Sequence, residues 1–547
     1  MNPPTFPDGL DVEVFSFNSL DSAYKNAVTI SDQEHVTPFI RKNQSNQLNY
    51  ENKEDLSSLR WTVDEEEDFI LVKKIFNHFH PNITFSWKDV LSFQENNDLI
   101  FTNSNLIRNK GSTMGKGQKL YKRAKQIIPG GNMLLSKRPE MFLPDLWPSY
   151  FSKSKGCKVW DLEGKEYVDM SIMGVGTNTL GYGHEEVDAA VKETIEQGNM
   201  STFNCPEEVY LAEKLIEINP WADMVRFART GGEANAIAVR IARAAVAKDN
   251  VAICGYHGWH DWYLAVNINS KDGLNSHLLP GLEAQGVPKG LGGTVFPFHY
   301  NNFSELEKIV NDNNIGVIKM EVVRNDGPED NFLQNVRDLA TQKGIVLIFD
   351  ECTSGFRETN GGIHQKYNVE PDIAMYGKAL GNGYAITAIV GKKEVMESAQ
   401  NTFISSTFWT ERIGPSAALK TLEVMERIKS WDQISSTGKN IRSKWKEIAS
   451  NYDIEINIAG ISALPSFTFS SKNHLAYKTL ITQEMLKKNY IANTSIYVCI
   501  DHSDKLIDDY MSELEKIFIK IKDCEDGRDI NELLDGPVCH SGFTRLN

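Results

Sequence analysis

Short, almost continuous apolar runs alternate with longer helical stretches through the second half of this chain. Four such runs are "VAIC" (Val251–Cys254), "IGVIKM" (Ile315–Met320), "IVLIF" (Ile345–Phe349) and "ITAIV" (Ile386–Val390). They are too short and too rich in β-branched residues to be buried helices. Strands that are apolar on both faces are typical of parallel sheets covered by helices. The pattern predicts an α/β fold with a mostly parallel sheet flanked by helices.

The run "IVLIF" leads directly into Asp350 and a small-residue loop, "ECTSGFR". Burying an unpaired carboxylate is costly, so Asp350 needs a cationic partner, which need not belong to the polypeptide. Ligands of open α/β sheets lie at the carboxyl ends of the strands. We therefore expect Asp350, Glu321 and the segment "GYHGWHD" after Cys254 to share one surface.

Two further features carry chemistry at that surface. Gly231 and Gly232 open an Ala-rich helix, whose free N–H groups can bind a phosphate, although a plain loop is the alternative. Lys378 lies between apolar "IAMYG" and "ALGNG", and burial there would lower its pKa towards nucleophilic use. The alternative is a solvated surface lysine. His257, taken alone, reads as an ordinary strand-end residue.

Taken together, these signals specify one ligand. It carries a phosphate, a ring with a basic nitrogen, and an aldehyde that condenses with a lysine amine. Pyridoxal 5'-phosphate has all three, and its sites pair a lysine with an acidic partner for the ring nitrogen. On this interpretation the protonated ring nitrogen is the counter-charge that keeps Asp350 ionised.

An ordered series of motifs extends the argument to a family. In chain order it reads "IPGG", "VWDLEGKEYVDM", "LGYGHEEV", "TGGEANA", "YHGWHD", "FDECTSGFR" and "YGKALGNG". From about residue 118 the chain resembles class III aminotransferases of the fold-type-I pyridoxal-phosphate superfamily, and in particular glutamate-1-semialdehyde 2,1-aminomutase and its relatives. Lys378 follows Asp350 by 28 residues, a spacing typical of that group. The resemblance implies an enzyme with a large cofactor-binding domain and a small α+β domain.

The resemblance also assigns roles to residues. Lys378 matches the lysine that forms the Schiff base and moves the proton, Asp350 the partner of the ring nitrogen, and Tyr256 the aromatic that stacks on the ring; these three are the predicted catalytic residues. Thr407 matches a threonine that reaches the cofactor of a neighbouring subunit, which implies a homodimer. The implied cofactor-binding set is Thr230, Gly231, Gly232, Tyr256, Glu321, Asp350, Cys352, Lys378 and Thr407.

Departures from the family pattern affect these roles and the substrate. The family commonly has Ser-Gly-Thr where this chain has Thr-Gly-Gly, so Thr230 is expected to supply the hydroxyl. The aminomutase has an asparagine where this chain has Asp326, in "EVVRNDGP". These differences favour an aminotransferase that uses a donor such as glutamate and a keto-sugar acceptor from surface-polysaccharide biosynthesis. The alternative is the aminomutase reaction, which forms 5-aminolevulinate.

The first hundred residues differ in composition and pattern from the rest of the chain. "PDGLDVEVFSF" and "LRWTVDEEEDFILVKKIF" resemble the C-terminal half of acylneuraminate-type cytidylyltransferases, without the Gly-rich nucleotide loop. Asp64, in the "VDxxxD" stretch, is interpreted as a solvated helix start rather than a metal ligand. The predicted division is a partial nucleotidyltransferase-like module over 1–110, a linker over 111–119, small-domain segments over 120–170 and 416–547, and a cofactor-binding domain over 171–415.

Composition bounds the remaining possibilities. The net charge of −15 over 547 residues argues against nucleic acid or an anionic membrane as partner. Seven scattered cysteines suggest neither disulfides nor a metal site, and neither a leader sequence nor a membrane span is recognisable, so a cytoplasmic location is expected. Two rivals remain: a cofactor-binding protein without turnover, which predicts replacement of Lys378 or Asp350, and a nucleotidyltransferase, which predicts CTP binding by the N-terminal module.

Overall fold

A computed structural model describes residues 5–10, 12–27, 37–43, 47–63, 66–97, 115–270, 273–277, 280–323, 325 and 327–543. The chain divides into two compact units, residues 1–119 and 120–547. In the described residues no helix is both long and apolar enough to cross a bilayer. No group of three or more His, Cys, Asp or Glu side chains is arranged there to hold a metal ion.

The N-terminal unit is a set of short helices around a small core. The helices are α1 (Phe17–Asn26), α2 (Pro38–Asn43), α3 (Glu66–Phe79) and α4 (Trp87–Glu95). Leu71 and Ile75 of α3 pack with Val90 of α4 in that core.

A buried ion-pair network holds the chain beside this core. The Arg60 guanidinium lies 2.9 Å from Oδ2 of Asp8 and 2.7 Å from Oδ2 of Asp68, and all three side chains are buried. Asp68, the last residue of the "VDxxxD" stretch, is therefore an ion-pair partner of Arg60, whereas Asp64 lies outside the described residues.

Apart from the four-residue segment Met173–Gly176, in which Gly174 and Val175 have non-helical dihedrals, and the short 3-10 helices, the second unit contains thirteen further helices and all thirteen strands assigned in the described residues. The helices are α5 (Lys116–Ile127, which starts just before the unit), α6 (Glu185–Gln197), α7 (Pro206–Ile218), α8 (Gly231–Val246), α9 (Asp261–Leu264), α10 (Val266–Asn269), α11 (Phe303–Asp312), α12 (Phe332–Lys343), α13 (Lys393–Met396), α14 (Ile413–Ile428), α15 (Ser430–Asn451), α16 (His474–Lys487) and α17 (Asp504–Glu525). The strands are β1 (Phe151–Lys155), β2 (Lys158–Asp161), β3 (Glu166–Met170), β4 (Met224–Ala228), β5 (Asn250–Cys254), β6 (Val295–Pro297), β7 (Ile315–Glu321), β8 (Val346–Asp350), β9 (Ile373–Tyr376), β10 (Thr387–Gly391), β11 (Ile456–Ala459), β12 (Ser466–Phe469) and β13 (Tyr490–Ala492).

Seven strands form the central sheet, in the order β4-β10-β9-β8-β7-β5-β6. The five strands from β9 to β6 are parallel, which agrees with the apolar runs of the sequence. β10 departs from the expectation, because it pairs antiparallel with both β9 and β4. The connection from β9 to β10 spans only residues 377–386 and has no crossover helix, and a short connection of that kind joins antiparallel strands.

Helices cover both faces of this sheet. On one face α8 packs its alanines and isoleucines against Val317, Ile348 and Met375 of the sheet. On the other face α12 and neighbouring segments bury Ile318, Leu347 and Phe349. The sequence of these strands is almost continuously apolar because both of their faces are buried.

The remaining strands form two small sheets. One has the order β1-β2-β3-β13 and the other is the hairpin β11-β12. A separate core around the fully buried Trp445, Tyr477 and Phe518 joins α15, α16 and α17 in the C-terminal part of the chain. This matches a small α+β portion beside the large sheet, although the predicted divisions at 170 and 415 remain predictions.

Candidate active site

The carboxyl ends of β5, β7 and β8 bring chemistry-bearing side chains to one edge of the sheet. In the parallel register, Glu321 at the end of β7 pairs with Asp350 at the end of β8. Cys254 ends β5, and the loop after it carries Tyr256 and His257. Strand order thus converts three separate sequence motifs into one surface.

Asp350 is almost completely buried and makes polar contacts with three neighbouring residues at this edge. Its Oδ2 accepts a hydrogen bond from His257 Nδ1 at 2.9 Å, and its Oδ1 accepts one from the Cys352 amide at 3.1 Å. The Nζ of Lys319, in the middle of β7, lies 3.8 Å from Oδ2. Burial alone would raise the pKa of Asp350, but the Lys319 charge and the His257 hydrogen bond outweigh it and hold the pKa well below its usual range. Asp350 is therefore a carboxylate at neutral pH.

Sequence reasoning missed two of these partners. His257 was interpreted as an ordinary strand-end residue, yet its ring is fully buried between Asp350 and the Cys254 carbonyl. Lys319 was counted within an apolar run, yet it is a cation from the chain itself beside Asp350. The signal for both was present: a lysine inside an otherwise apolar strand, and a histidine directly after a strand on the same sheet edge.

Lys378 follows β9 and has a left-handed backbone, with φ of 43°. Its Nζ donates a hydrogen bond to Thr353 Oγ1 at 2.9 Å. Burial, and then the nearby charge of Arg357, lower the pKa of Lys378. Arg357 is itself buried, and its Nε donates to the Thr353 carbonyl at 2.5 Å. The lysine amine is thus fixed in direction and biased towards its neutral, nucleophilic form.

The expected phosphate site lies at the start of α8. Thr230 is the N-cap of that helix; Glu233 N donates to its Oγ1 at 3.4 Å, and Thr230 N donates back to Glu233 Oε2 at 2.9 Å. The Thr230 hydroxyl, expected to face the phosphate, is therefore engaged in a capping box. The amides of Gly231 and Gly232 precede the first intrahelical bond of α8, from Ala234 N to the Thr230 carbonyl, and they point out of the helix end.

Glycine at 232 permits a close approach by the loop after β5. A Cβ there would lie 3.1 Å from His260 Cδ2 and from Trp259 Nε1, closer than ordinary van der Waals contact. Gly258 has φ of 96°, and a Cβ on it would lie 3.0 Å from the Gly232 Cα. Glycine at position 232 therefore leaves room for Trp259 and His260 beside the start of α8.

Three other predicted residues surround the same edge. Tyr256 is half-buried, and its amide donates to Glu321 Oε2 at 3.1 Å. Burial raises the pKa of the Cys352 thiol well above its usual range, so it is a neutral packing group. Thr407 is different: it is exposed, and no hydrogen bond recorded in the described residues links it to the rest of this set.

These residues fit pyridoxal phosphate. A carboxylate fixed at a strand end suits a protonated ring nitrogen, a lysine with a lowered pKa suits an aldehyde, and two glycine amides at a helix start suit a phosphate. All three features lie within one surface of the same sheet edge.

Comparisons with known proteins agree with this geometry. The family model "Aminotransferase class-III" matches residues 145–516. The 3-aminobutyryl-CoA aminotransferase of Cloacimonas acidaminovorans (strain Evry) is 33% identical over 408 residues, which cover 72% of this chain and 94% of that protein. The glutamate-1-semialdehyde 2,1-aminomutase of Methanocaldococcus jannaschii is 29% identical over 432 residues, covering 74% of this chain and 98% of that protein.

A solved structure supports the fold. The FumI protein of Sphingopyxis sp. MTA144, in its PLP form, superposes with a TM-score of 0.69 at 21% identity, covering 77% of this chain and all of that one. The predicted fold class, with a mostly parallel sheet in a fold-type-I arrangement, is confirmed. The match to the family model begins at residue 145, so the N-terminal unit lies outside it.

Proposed function

The chain belongs to the class III aminotransferases. We propose that it transfers an amino group from a donor such as glutamate to a carbonyl acceptor, with Lys378, Asp350 and Tyr256 as its catalytic residues. Family membership identifies an enzyme whose cofactor is pyridoxal phosphate. The observation that carries the assignment of residues is that one sheet edge holds both Lys378, a buried lysine with a lowered pKa, and Asp350, a buried carboxylate whose pKa lies well below its usual range.

Pyridoxal phosphate, when bound, supplies an aldehyde for amines and a ring that withdraws electrons from the substrate carbon. Lys378 provides the proton transfer that this chemistry needs. Its amine is held by Thr353 and is biased towards the neutral form, so it can accept a proton at the substrate carbon and return it at the neighbouring atom.

The other residues bind and orient. The Asp350 carboxylate holds positive charge at the ring nitrogen, because its pKa keeps it ionised throughout the neutral range. Tyr256 and Cys352 are proposed to pack on opposite ring faces. The amides of Gly231 and Gly232 are proposed to bind the phosphate, and the Thr230–Glu233 capping box orients them.

A homodimer accounts for the surface around Thr407. Phe403 and Phe408, which flank Thr407 in sequence, are 86% and 69% exposed. Exposed aromatics in one region are typical of an interaction surface. We propose that a second copy covers them and that Thr407 acts at the partner's site.

The acceptor is the open part of the proposal. A keto sugar is supported by the sequence departures after Glu321 and by the resemblance of residues 1–110 to sugar-activating cytidylyltransferases, which itself stays a proposal. The second candidate is the aminomutase reaction, supported by the relatives that carry that name.

Seven free cysteines support a reducing, cytoplasmic location.

The experiment is a spectral and product assay on the purified protein loaded with cofactor. Glutamate alone should change the visible spectrum of the bound cofactor, and glutamate-1-semialdehyde should give no 5-aminolevulinate. Rapid formation of 5-aminolevulinate would replace the aminotransferase proposal by the aminomutase. Lys378→Ala is the control and should abolish the spectral change; a change that persists in this variant would refute the role of Lys378.

A further inference from the structure

Lys319 is a lysine buried in the centre of the large sheet. Its side chain is 0% exposed, and it lies in β7 between apolar neighbours. Removing an ammonium from water is costly unless strong acceptors replace the water. Its Nζ donates to the Sδ of Met375 at 3.0 Å, and a thioether is a weak acceptor. Within the described residues, Asp350 is the carboxylate that lies within ion-pair distance of it, at 3.8 Å.

Strand register places this pair together. Lys319 pairs with Ile348 across the β7–β8 ladder, and Asp350 lies two residues further along β8, so its side chain is on the same face. Met375 of β9 pairs with Asp350 from the other side. The three side chains thus lie on one face of three adjacent strands.

Other polar groups also face Asp350, and none of them replaces Lys319. His257 donates one hydrogen bond, but burial lowers its pKa, so its ring carries no charge at neutral pH. The Cys352 amide donates to Oδ1 and is uncharged. Glu321 is acidic, and the Lys378 amine donates its hydrogen bond to Thr353. Burial lowers the pKa of Lys319, but the Asp350 charge opposes that shift, and the 3.8 Å separation makes Lys319 the cation that is placed to offset the Asp350 charge.

We propose that Lys319 is a positioning residue for the cofactor: its ammonium keeps the Asp350 carboxylate ionised in the cofactor-free chain, so that the ring nitrogen meets a carboxylate and not a carboxylic acid. This inference rests on the proposed role of Asp350. A buried strand can end on a carboxylate here because the neighbouring strand, β7, supplies the counter-charge.

The test reads the protonation of Asp350 directly. Infrared difference spectra of the full-length, cofactor-free protein detect the C=O stretch of a protonated carboxylic acid. We compare wild type with Lys319→Met, whose side chain has a similar length and no charge, and assign the band with Lys319→Met/Asp350→Asn. Lys248→Met is the matched control. Lys248 precedes β5 in the chain, and its Nζ donates to the carbonyl of Ile315, the first residue of β7, at 3.3 Å.

In Lys319→Met we expect the protonation midpoint of Asp350 to move from well below its usual range to about 3 pH units above it, within the range for buried carboxyls without a counter-charge. An acid band should then appear near neutral pH and vanish in the double variant, while wild type and Lys248→Met lack it. A Lys319→Met spectrum identical to wild type would overturn the proposal. If Lys319→Met does not fold, as judged by circular dichroism, Lys319→Gln takes its place with the same expectation.

A second measurement separates this inference from the proposed function. Cofactor labelled with ¹⁵N in the ring reports, by its chemical shift, whether the ring nitrogen interacts with Asp350. An unchanged shift in Asp350→Asn would refute the proposed role of Asp350. A changed shift in Asp350→Asn without an acid band in Lys319→Met would refute only the role of Lys319.

Discussion

Replacing Asp350 by asparagine should destabilise the protein through Lys319. The amide keeps the shape of the carboxylate and removes its charge, which leaves an ammonium that is 0% exposed with a sulfur atom as its nearest acceptor. Removing one partner of a buried ion pair typically costs about 3–5 kcal/mol. The alternative open to the folded variant is to release the lysine proton.

Releasing the Lys319 proton costs free energy that depends on pH. Lysine has an ordinary pKa of about 10.4, so deprotonation at pH 7 costs at most about 5 kcal/mol, at about 1.4 kcal/mol per pH unit. Burial lowers the pKa of Lys319 in the fold. In Asp350→Asn the unfolded chain therefore binds one more proton than the folded chain, and stability rises with pH by about 1.4 kcal/mol per unit up to the unfolded pKa. In wild type the Asp350 charge opposes the lowering of the Lys319 pKa, so this slope is smaller and begins at higher pH.

Urea denaturation of both cofactor-free proteins at pH 7 and pH 9 measures the effect. The loss of stability in Asp350→Asn should shrink by up to about 2.7 kcal/mol between the two pH values, which is two units at about 1.4 kcal/mol each. In Lys319→Met/Asp350→Asn the loss should be small and independent of pH, because neutral packing often replaces a buried pair without loss. An equal loss at both pH values in Asp350→Asn would show that Lys319 does not depend on Asp350.

Three further substitutions test other contacts. Thr353→Val removes the hydrogen bond that holds the Lys378 amine; we expect kcat to fall about tenfold with KM unchanged, the worth of one such bond, and equal changes in both constants would contradict this. Gly258→Ala adds a Cβ 3.0 Å from the Gly232 Cα at φ of 96° and should cost about 1–3 kcal/mol, seen as a lower Tm, whereas an unchanged Tm would mean that the loop adapts freely. Arg60→Met leaves two buried carboxylates without their cation, so the N-terminal unit should lose about 3–5 kcal/mol and become protease-sensitive. Amino transfer should persist in this variant, and its loss would show that the enzyme needs that unit.

Much of the fold and the cofactor followed from the sequence. The run Ile345–Phe349 and the residue after it predicted a buried strand ending on a carboxylate, and β8 is that strand. The ordered motifs indicated the family, and the family model matches 145–516. Local patterns succeed here because the spacing of apolar residues within a short segment reflects which of its faces are buried.

Local sequence patterns identify the groups that the chain can bring to a cofactor: an acid at a strand end, a lysine before a Gly-rich turn, and two glycines at a helix start. The surroundings of these groups depend on how distant strands pair. Lys319 and Asp350 lie on different strands, 31 residues apart, and one-residue changes in the β7–β8 register would separate them. The contact of His257 with Asp350 depends in the same way on strand order. Long-range register sets the charge balance of a buried site, and no local pattern encodes it.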